Sequence, residues 1–143
     1  GTFDDVNDER RNFNYINSVN GRRLSSKYTN QFGDVPLIRL AEMYLIRAEA
    51  NLQAATTVGD TPLNDINRLR TRAKATLFTT VTLANILRER ELELGMEGFR
   101  IHDIKRTKGS ISSSYAWDSD LLVFPIPLRE TNVNTLITEN PEY

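Results

Sequence analysis

The chain has 143 residues, of which 39% are hydrophobic and 26% charged, with a formal net charge of −1 and no cysteine. This is the size of one globular domain, and the balanced charge excludes a global field that would attract nucleic acid or an anionic membrane. The lack of cysteine excludes disulfides, thiolate nucleophiles and zinc–thiolate sites.

The sequence predicts no membrane-spanning segment and no signal peptide at its start. The longest apolar run, LLVFPIPL (121–128), is too short to span a bilayer. The chain begins in polar sequence without a signal peptide, which favours a segment of a longer protein.

The first 35 residues are polar, and they predict a loop-rich lead-in with a short hairpin around the Asn20–Gly21 turn signal. A first helix is predicted over residues 36–53, with Pro36 in its first turn. Apolar residues surround much of this helix, which predicts a central position. Its apolar stripe consists of Leu37, Leu40, Ala41, Tyr44, Leu45, Ala48 and Leu52, and Ile38, Met43 and Ile46 lie outside that stripe.

Two further helices follow. The second is predicted from an N-cap at Thr61, with Pro62 at the first helical position, to about Lys74. The third begins near Thr82 and runs to about residue 94, and residues 99–106 add another helical turn or two. The short connection between the first two helices predicts an antiparallel pair. After them come a serine-rich loop (108–120), an extended stretch (121–127) and an irregular tail.

Several charged residues fall on the apolar faces of these helices. Arg70 points inward on the second helix and Arg90 on the third, Glu93 borders the stripe, and Glu97 joins it if the helix continues past Gly95. A buried unpaired charge costs several kcal/mol, so these residues need partners. The pattern therefore predicts a buried arginine–glutamate network that locks the three helices together. The first helix offers Arg39, Glu42 and Glu49 as partners.

An alternative interpretation is a catalytic carboxylate pair. Glu89 and Glu93 are neighbours at i, i+4, a spacing of about 5–6 Å between Cβ atoms that would suit a retaining glycosidase. Against this, two adjacent turns of one helix rarely present carboxylates to opposite sides of a sugar. The interleaved arginines also disfavour the raised pKa that the acid needs.

Other functional patterns are weaker. A single histidine, His102, cannot supply the common zinc sets, and no nucleophile elbow or phosphate-binding loop is present, so no cofactor is expected. Alternating basic residues in RLRTRAK (68–74) point to two sides of a helix, which argues against nucleic-acid binding. Tyr115 and Trp117 are candidate ligand-stacking residues, although packing of Trp117 onto the core is the preferred expectation.

Four sequence blocks, in order, cover about residues 36–143. They are RLAEMYLIRAEA (39–50), NRLRTRA (67–73), RERELELGMEGFRIHDIKR (88–106), and FPIPLRE (124–130) with ENPEY (139–143). Together they resemble the SusD/RagB-type nutrient-binding lipoproteins of bacterial outer membranes. The resemblance implies a mainly α fold of tetratricopeptide-related helix pairs with long loops, of which this chain is the C-terminal portion. The predicted ion network comprises Arg39, Glu42, Glu49, Arg70, Glu89, Arg90, Glu93, Glu97, Arg100, Asp103 and Arg106.

The resemblance also implies a function. Members of this family capture oligosaccharides or other nutrients at the cell surface without cleaving them. They pass the nutrient to a SusC-like TonB-dependent transporter and are held at the outer membrane by a lipid anchor, whose cysteine this chain does not contain. A glycan-cleaving enzyme and a helical scaffold for protein partners remain the alternatives.

Overall fold

The computed structural model describes residues 3–30, 32–112 and 115–141. Its backbone contacts group the chain into two compact units, Gly1–Gly95 and Met96–Tyr143. The structure is mainly helical, as predicted. The sequence-based division at residue 35 stays a prediction. The last two residues of the ENPEY block and part of the serine-rich loop (113–114) lie outside the described residues.

The first unit is built on three helices, α1 (Leu40–Ala54), α2 (Pro62–Arg72) and α3 (Leu83–Glu93). Helix α1 contacts both of the others, and Leu45, Ile66 and Ile86 contribute one fully buried side chain from each helix. Burial of such side chains contributes about 1.5–3 kcal/mol each, which makes this layer the main apolar source of stability.

Helix α1 differs from its prediction at its start and on one face. It begins at Leu40, because Arg39 has an extended backbone (φ −123°, ψ 146°) and its side chain reaches across to Glu93. Pro36 therefore lies outside the first turn. The side of α1 that faces α2 and α3 is buried, whereas an apolar stripe on the opposite side is exposed. Burial therefore does not explain why α1 is apolar on much of its circumference. The exposed residues in and before the helix are Leu37, Ile38, Leu40, Met43 and Ile46.

The starts of α2 and α3 agree with the sequence. The Thr61 hydroxyl accepts a hydrogen bond from the Asn64 N–H at 3.1 Å, and Pro62 is the first helical residue. Thr82 and Asn85 form a reciprocal capping box, in which each side chain accepts from the other's backbone N–H. These caps satisfy N–H groups that lack partners within the helix.

Helix α3 ends before Glu97, which was predicted to lie on the apolar stripe only if the helix continued past Gly95. The helix stops at Glu93, and the left-handed backbone of Met96 and Gly98 (φ 67° and 83°) prevents continuation. Glu97 therefore does not join the apolar stripe of α3.

Before these helices lie a 3₁₀ turn (Glu9–Phe13) and the predicted hairpin. Strands β1 (Asn14–Ile16) and β2 (Arg23–Ser25) pair antiparallel, with Tyr15 opposite Leu24. The loop between them closes through the Asn17 N–H, which donates to the Arg22 carbonyl at 2.8 Å, and Gly21 takes the positive φ of 68° that the turn needs.

The second unit contains α4 (Arg100–Thr107), strands β3 (Ser110–Ser112) and β4 (Tyr115–Ala116), a 3₁₀ turn (Asp120–Leu122) and α5 (Leu128–Val133). The predicted serine-rich loop thus contains a small antiparallel hairpin, and α5 lies between the predicted extended stretch and the ENPEY tail, in residues for which no element was predicted. No strand forms over residues 121–127. Instead, the Glu139 carboxylate accepts from the Ile126 N–H at 3.0 Å, and the Asn140 amide donates to the Phe124 carbonyl at 2.7 Å.

Candidate functional site

The carboxylates of α3 lie at the centre of a buried ion cluster in the first unit. Glu89 is 1% exposed, and its two oxygens lie 2.6 Å from Arg10 Nη1 and 2.8 Å from Arg70 Nη1. The contact with Arg10 is a close ion pair that is not aligned as a hydrogen bond, whereas the contact with Arg70 is aligned. Both oxygens of Glu89 are therefore committed to internal cations.

Glu93, one turn further along, is shared by three arginines. Its oxygens lie 2.6 Å from Arg72 Nη2, 3.1 Å from Arg39 Nη1 and 3.3 Å from Arg10 Nη1. Burial raises the pKa of the Glu93 carboxyl, but hydrogen bonds and charges from Arg72, Arg39 and Arg10 outweigh it and hold the pKa below its usual range. The side chain is therefore an ionised acceptor.

Arg10 connects this cluster to the N-terminal segment. It forms a two-point contact with Asp8, through Nε at 2.9 Å and Nη2 at 2.6 Å. Burial lowers the pKa of the Arg10 guanidinium, yet the hydrogen bonds to Asp8 and the charge of Glu89 raise it above its ordinary value overall. Such bidentate contacts are among the strongest charge-assisted hydrogen bonds.

The NRLRTRA motif positions Arg70 by clamping the loop that follows α2. Arg70 Nε donates to the Thr76 carbonyl at 2.5 Å, and its guanidinium lies 4.0 Å from the centroid of the Phe78 ring. One turn earlier, the Asn67 amide both donates to and accepts from the Phe78 backbone at 2.9 Å. The i, i+3 spacing places both side chains over the same loop.

Cationic side chains also donate hydrogen bonds to backbone carbonyls at the C-terminal end of α3. Lys27 Nζ donates to the carbonyls of Glu93 and Gly95 at 2.8 and 2.9 Å, and Arg39 Nη2 donates to the Glu93 carbonyl at 3.1 Å. Cations favour a helix C-terminus, where unpaired carbonyls concentrate partial negative charge.

The other predicted network residues are placed as follows. Arg70 contacts Glu89 and Asp5, not a carboxylate of α1. Glu42 is half-buried and forms no ion pair within the part of the chain that the structure describes. Glu49 is buried and accepts from Gln53 Nε2 at 3.0 Å. Arg90 is also buried, three residues before Glu93 on α3.

Four residues of the predicted network, Glu97, Arg100, Asp103 and Arg106, belong to the second unit. Asp103 is buried and accepts from Arg106 Nε at 2.9 Å and Nη2 at 2.7 Å, an i, i+3 pair within α4. Arg100 is exposed, and Glu97 is half-buried. The predicted residues thus occupy both units, and the dense cluster lies in the first.

Sequence reasoning missed Asp5, Asp8 and Arg10. Asp5 contacts Arg70 Nη2 at 3.3 Å and accepts from the Thr76 N–H at 2.6 Å. The available signal was the run of alternating charges in DDVNDERR (4–11). Such a run is usually a solvated face, and nothing local indicates that its partners lie on α2 and α3.

The cluster does not suit acid–base catalysis. A retaining glycosidase needs one carboxylic acid with a raised pKa and a second carboxylate exposed to the sugar. Here Glu89 and Glu93 are both buried and paired with arginines, and the pKa of Glu93 is lowered. The arrangement holds α2, α3 and the N-terminal segment together.

The aromatic candidates lie on the hairpin of the second unit. Tyr115 and Trp117 are 39% and 37% exposed, so the expected packing of Trp117 onto the core is wrong. Lys108, which ends α4, places Nζ 5.5 Å from the centroid of the Trp117 ring.

Among residues 3–30, 32–112 and 115–141, no group of three or more histidine, aspartate or glutamate side chains could hold a metal ion. In the same ranges, no helix is both long and apolar enough to cross a membrane.

The fold is mainly helical, and the charged motifs of α2 and α3 form internal ion pairs and loop contacts. A model of the SusD family matches residues 4–119, and the chain belongs to this family.

Individual relatives agree with this membership. The chain is 35% identical to the starch-binding protein SusD of Bacteroides thetaiotaomicron, with 77% of this chain and 22% of that protein covered. It is 42% identical to a SusD-like protein of Bacteroides ovatus over 48% of this chain and 13% of that protein. A SusD superfamily protein of Bacteroides vulgatus has a crystal structure that matches with a TM-score of 0.66 and 26% identity, over 96% of this chain and 36% of the other. The chain therefore spans about a fifth of the length of the starch-binding relative.

Proposed function

We propose that this protein is a non-catalytic component of nutrient uptake that captures oligosaccharides at the surface of the outer membrane. The observation that carries the proposal is the burial of Glu89 and Glu93 against arginines, which leaves neither member of the candidate catalytic pair accessible. The relative named as a starch-binding protein supports a glycan as the nutrient.

The proposal includes a SusC-like TonB-dependent transporter as the partner that receives the nutrient, and a lipid anchor as the attachment to the membrane. Membership of the SusD family supports both parts of the proposal. A surface protein that only binds needs such a partner, because capture alone does not move a solute across a membrane.

Native electrophoresis through gels that contain a neutral polysaccharide tests capture. The protein is run in gels that contain starch, xylan or inulin and in a gel without polysaccharide. We expect at least one polysaccharide to retard its migration. A parallel assay of reducing ends should show no release. The Glu89→Gln variant is the control for catalysis, and its reducing-end signal should equal that of the wild type.

Two results would contradict the proposal. One is release of reducing sugar that depends on Glu89 or Glu93, because it would make the buried cluster an active site. The other is unretarded migration in every polysaccharide gel. The partner is tested separately, by asking whether a TonB-dependent transporter copurifies with the protein from outer membranes.

A further inference from the structure

The hairpin of the second unit presents aromatic surface that the fold does not use. Tyr115 and Trp117 are two residues apart on and beside β4, and more than a third of each side chain is exposed. Lys108 follows α4 in the left-handed conformation (φ 52°), which carries its side chain over the Trp117 ring at 5.5 Å.

The polar groups around this surface have no protein partners in the described ranges 3–30, 32–112 and 115–141. The Tyr115 hydroxyl, the Trp117 indole N–H and the Lys108 ammonium form no hydrogen bond or ion pair there. The same holds for the carboxylates of Asp118 and Asp120, which follow in sequence and are exposed. Exposed tyrosine and tryptophan side chains combine a large apolar face with a polar tip, and that combination suits recognition.

We propose that Tyr115, Trp117 and Lys108 form a contact site for a pyranose ring of a neutral oligosaccharide. This inference rests on the proposed capture of glycans and assigns part of it to this hairpin. The C–H face of the sugar would lie on the indole, and the free donors and acceptors would meet its hydroxyl groups. Lys108 is held over the ring only weakly, since exposed cation–π contacts are small, so it can turn toward a hydroxyl.

The local charge selects a neutral sugar over an acidic one. The exposed ionic groups of residues 108–120 are one ammonium, Lys108, and two carboxylates, Asp118 and Asp120. Their sum is negative, so they do not concentrate anions at the site. Carboxylates and an ammonium do, however, complement neutral hydroxyl groups as acceptors and donors.

The chain contains a single tryptophan, so its fluorescence reports this site alone. Maltoheptaose, cellohexaose and xylohexaose are titrated against the 143-residue chain, with oligogalacturonate as the acidic counterpart. At least one neutral oligosaccharide should give a saturable shift of Trp117 emission. By calorimetry, Trp117→Ala should weaken that binding by about tenfold, equivalent to about 1.4 kcal/mol.

Matched variants separate the site from effects on folding. Trp117→Phe keeps a stacking ring and should lose less affinity than Trp117→Ala. Lys108→Met keeps the aliphatic stem but removes the donor, and it should weaken binding severalfold. Tyr15→Ala removes a similarly exposed aromatic side chain from the first unit and should leave affinity unchanged. Far-UV circular dichroism checks that each variant is folded.

The outcomes distinguish this inference from the proposed function. Glycan binding with no change in Trp117 emission, and unaffected by Trp117→Ala, overturns the site but leaves capture intact. Tighter binding of oligogalacturonate than of any neutral sugar overturns the neutral class. Failure of every glycan to bind, in these titrations and in polysaccharide gels, overturns both.

Discussion

At the scale of single residues, the buried position of Glu89 makes it more important for stability than an exposed glutamate in a similar ion pair. Replacing Glu89 with alanine leaves Arg10 and Arg70 buried without one of their carboxylates, and we expect a loss of about 3 kcal/mol in the free energy of unfolding. Glu9→Ala is the matched control, since Glu9 pairs with Lys74 at the same 2.6 Å but both side chains are exposed. Its cost should be roughly 0–1 kcal/mol. Equal denaturation midpoints for the two variants would contradict a stabilising role of the cluster.

Glu93 predicts a dependence of stability on pH. Because its pKa is lower in the folded protein than in the unfolded chain, its contribution is complete above the unfolded value of about 4.3 and is lost as the pH falls through the folded value. Glu93→Gln should therefore be less stable than the wild type at pH 7, by about 3 kcal/mol, and the difference should shrink below about pH 4. Urea titrations of both proteins at several pH values measure it. A difference that stays constant from pH 7 to pH 3 would show that Glu93 is not stabilised as an anion.

At the scale of elements, the start of α3 depends on its capping box. Thr82→Ala removes the acceptor of the Asn85 N–H and should cost about 1 kcal/mol of unfolding free energy. Thr82→Ser keeps the hydroxyl and should cost much less. Thermal unfolding of the two variants provides the measurement, and identical melting temperatures would show that the cap does not matter.

The connection between α1 and α2 depends on one buried amide. Asn51 donates to the carbonyls of Val58 and Asp60, both at 3.0 Å, and accepts from the Val58 N–H and the Thr56 hydroxyl at 3.1 and 2.7 Å. Asn51→Asp keeps the shape but removes both donors, and we expect a loss of about 2 kcal/mol.

A second asparagine provides the control for that substitution. Asn20 uses only its side-chain oxygen, which accepts from the Arg22 N–H at 3.0 Å, so Asn20→Asp should be nearly neutral. Chemical denaturation compares the two variants. A similar effect at both positions would mean that the donors of Asn51 contribute nothing.

At the scale of the whole molecule, the N-terminal segment is part of the first unit and not a detachable tail. Asp5 and Arg10 contact Arg70, Glu89 and Glu93, which lie on α2 and α3. Deleting residues 1–11 should therefore destabilise the unit by more than Glu89→Ala does, because Glu89 loses the buried Arg10 and Arg70 also loses Asp5. Hydrogen exchange of the α3 amides reports the loss, and Asp4→Ala, which removes only a contact of an exposed carboxylate with Arg88, is the control. Unchanged exchange after the deletion would show that the segment is not needed.

Much of the helical architecture was predictable, because its signals are local. Thr61 with Pro62, and Thr82 with Asn85, specify helix starts through contacts three residues apart. Hydrophobic spacing identified α1 and the buried Ala41, Leu45 and Ala48, although Leu37 and Leu40 of the predicted stripe are exposed, and an asparagine–glycine pair identified the first hairpin.

The features that the sequence did not reveal are short or depend on distant partners. The hairpin of β3 and β4 and the six-residue α5 are too short for a periodic pattern. The start of α1 was misplaced because Arg39 is extended toward Glu93, 54 residues away. The exposure of Trp117 also escaped prediction, since burial depends on what covers a residue.

The sequence by itself determined that this chain is a mainly helical member of the SusD family in which charged residues point inward. Only the tertiary structure decided which charges meet. Glu89 and Glu93 pair with Arg10, Arg70, Arg72 and Arg39, which all lie outside α3. The physical reason is that helical periodicity fixes the side on which a charge lies, whereas its partner is selected by packing between segments far apart in the chain.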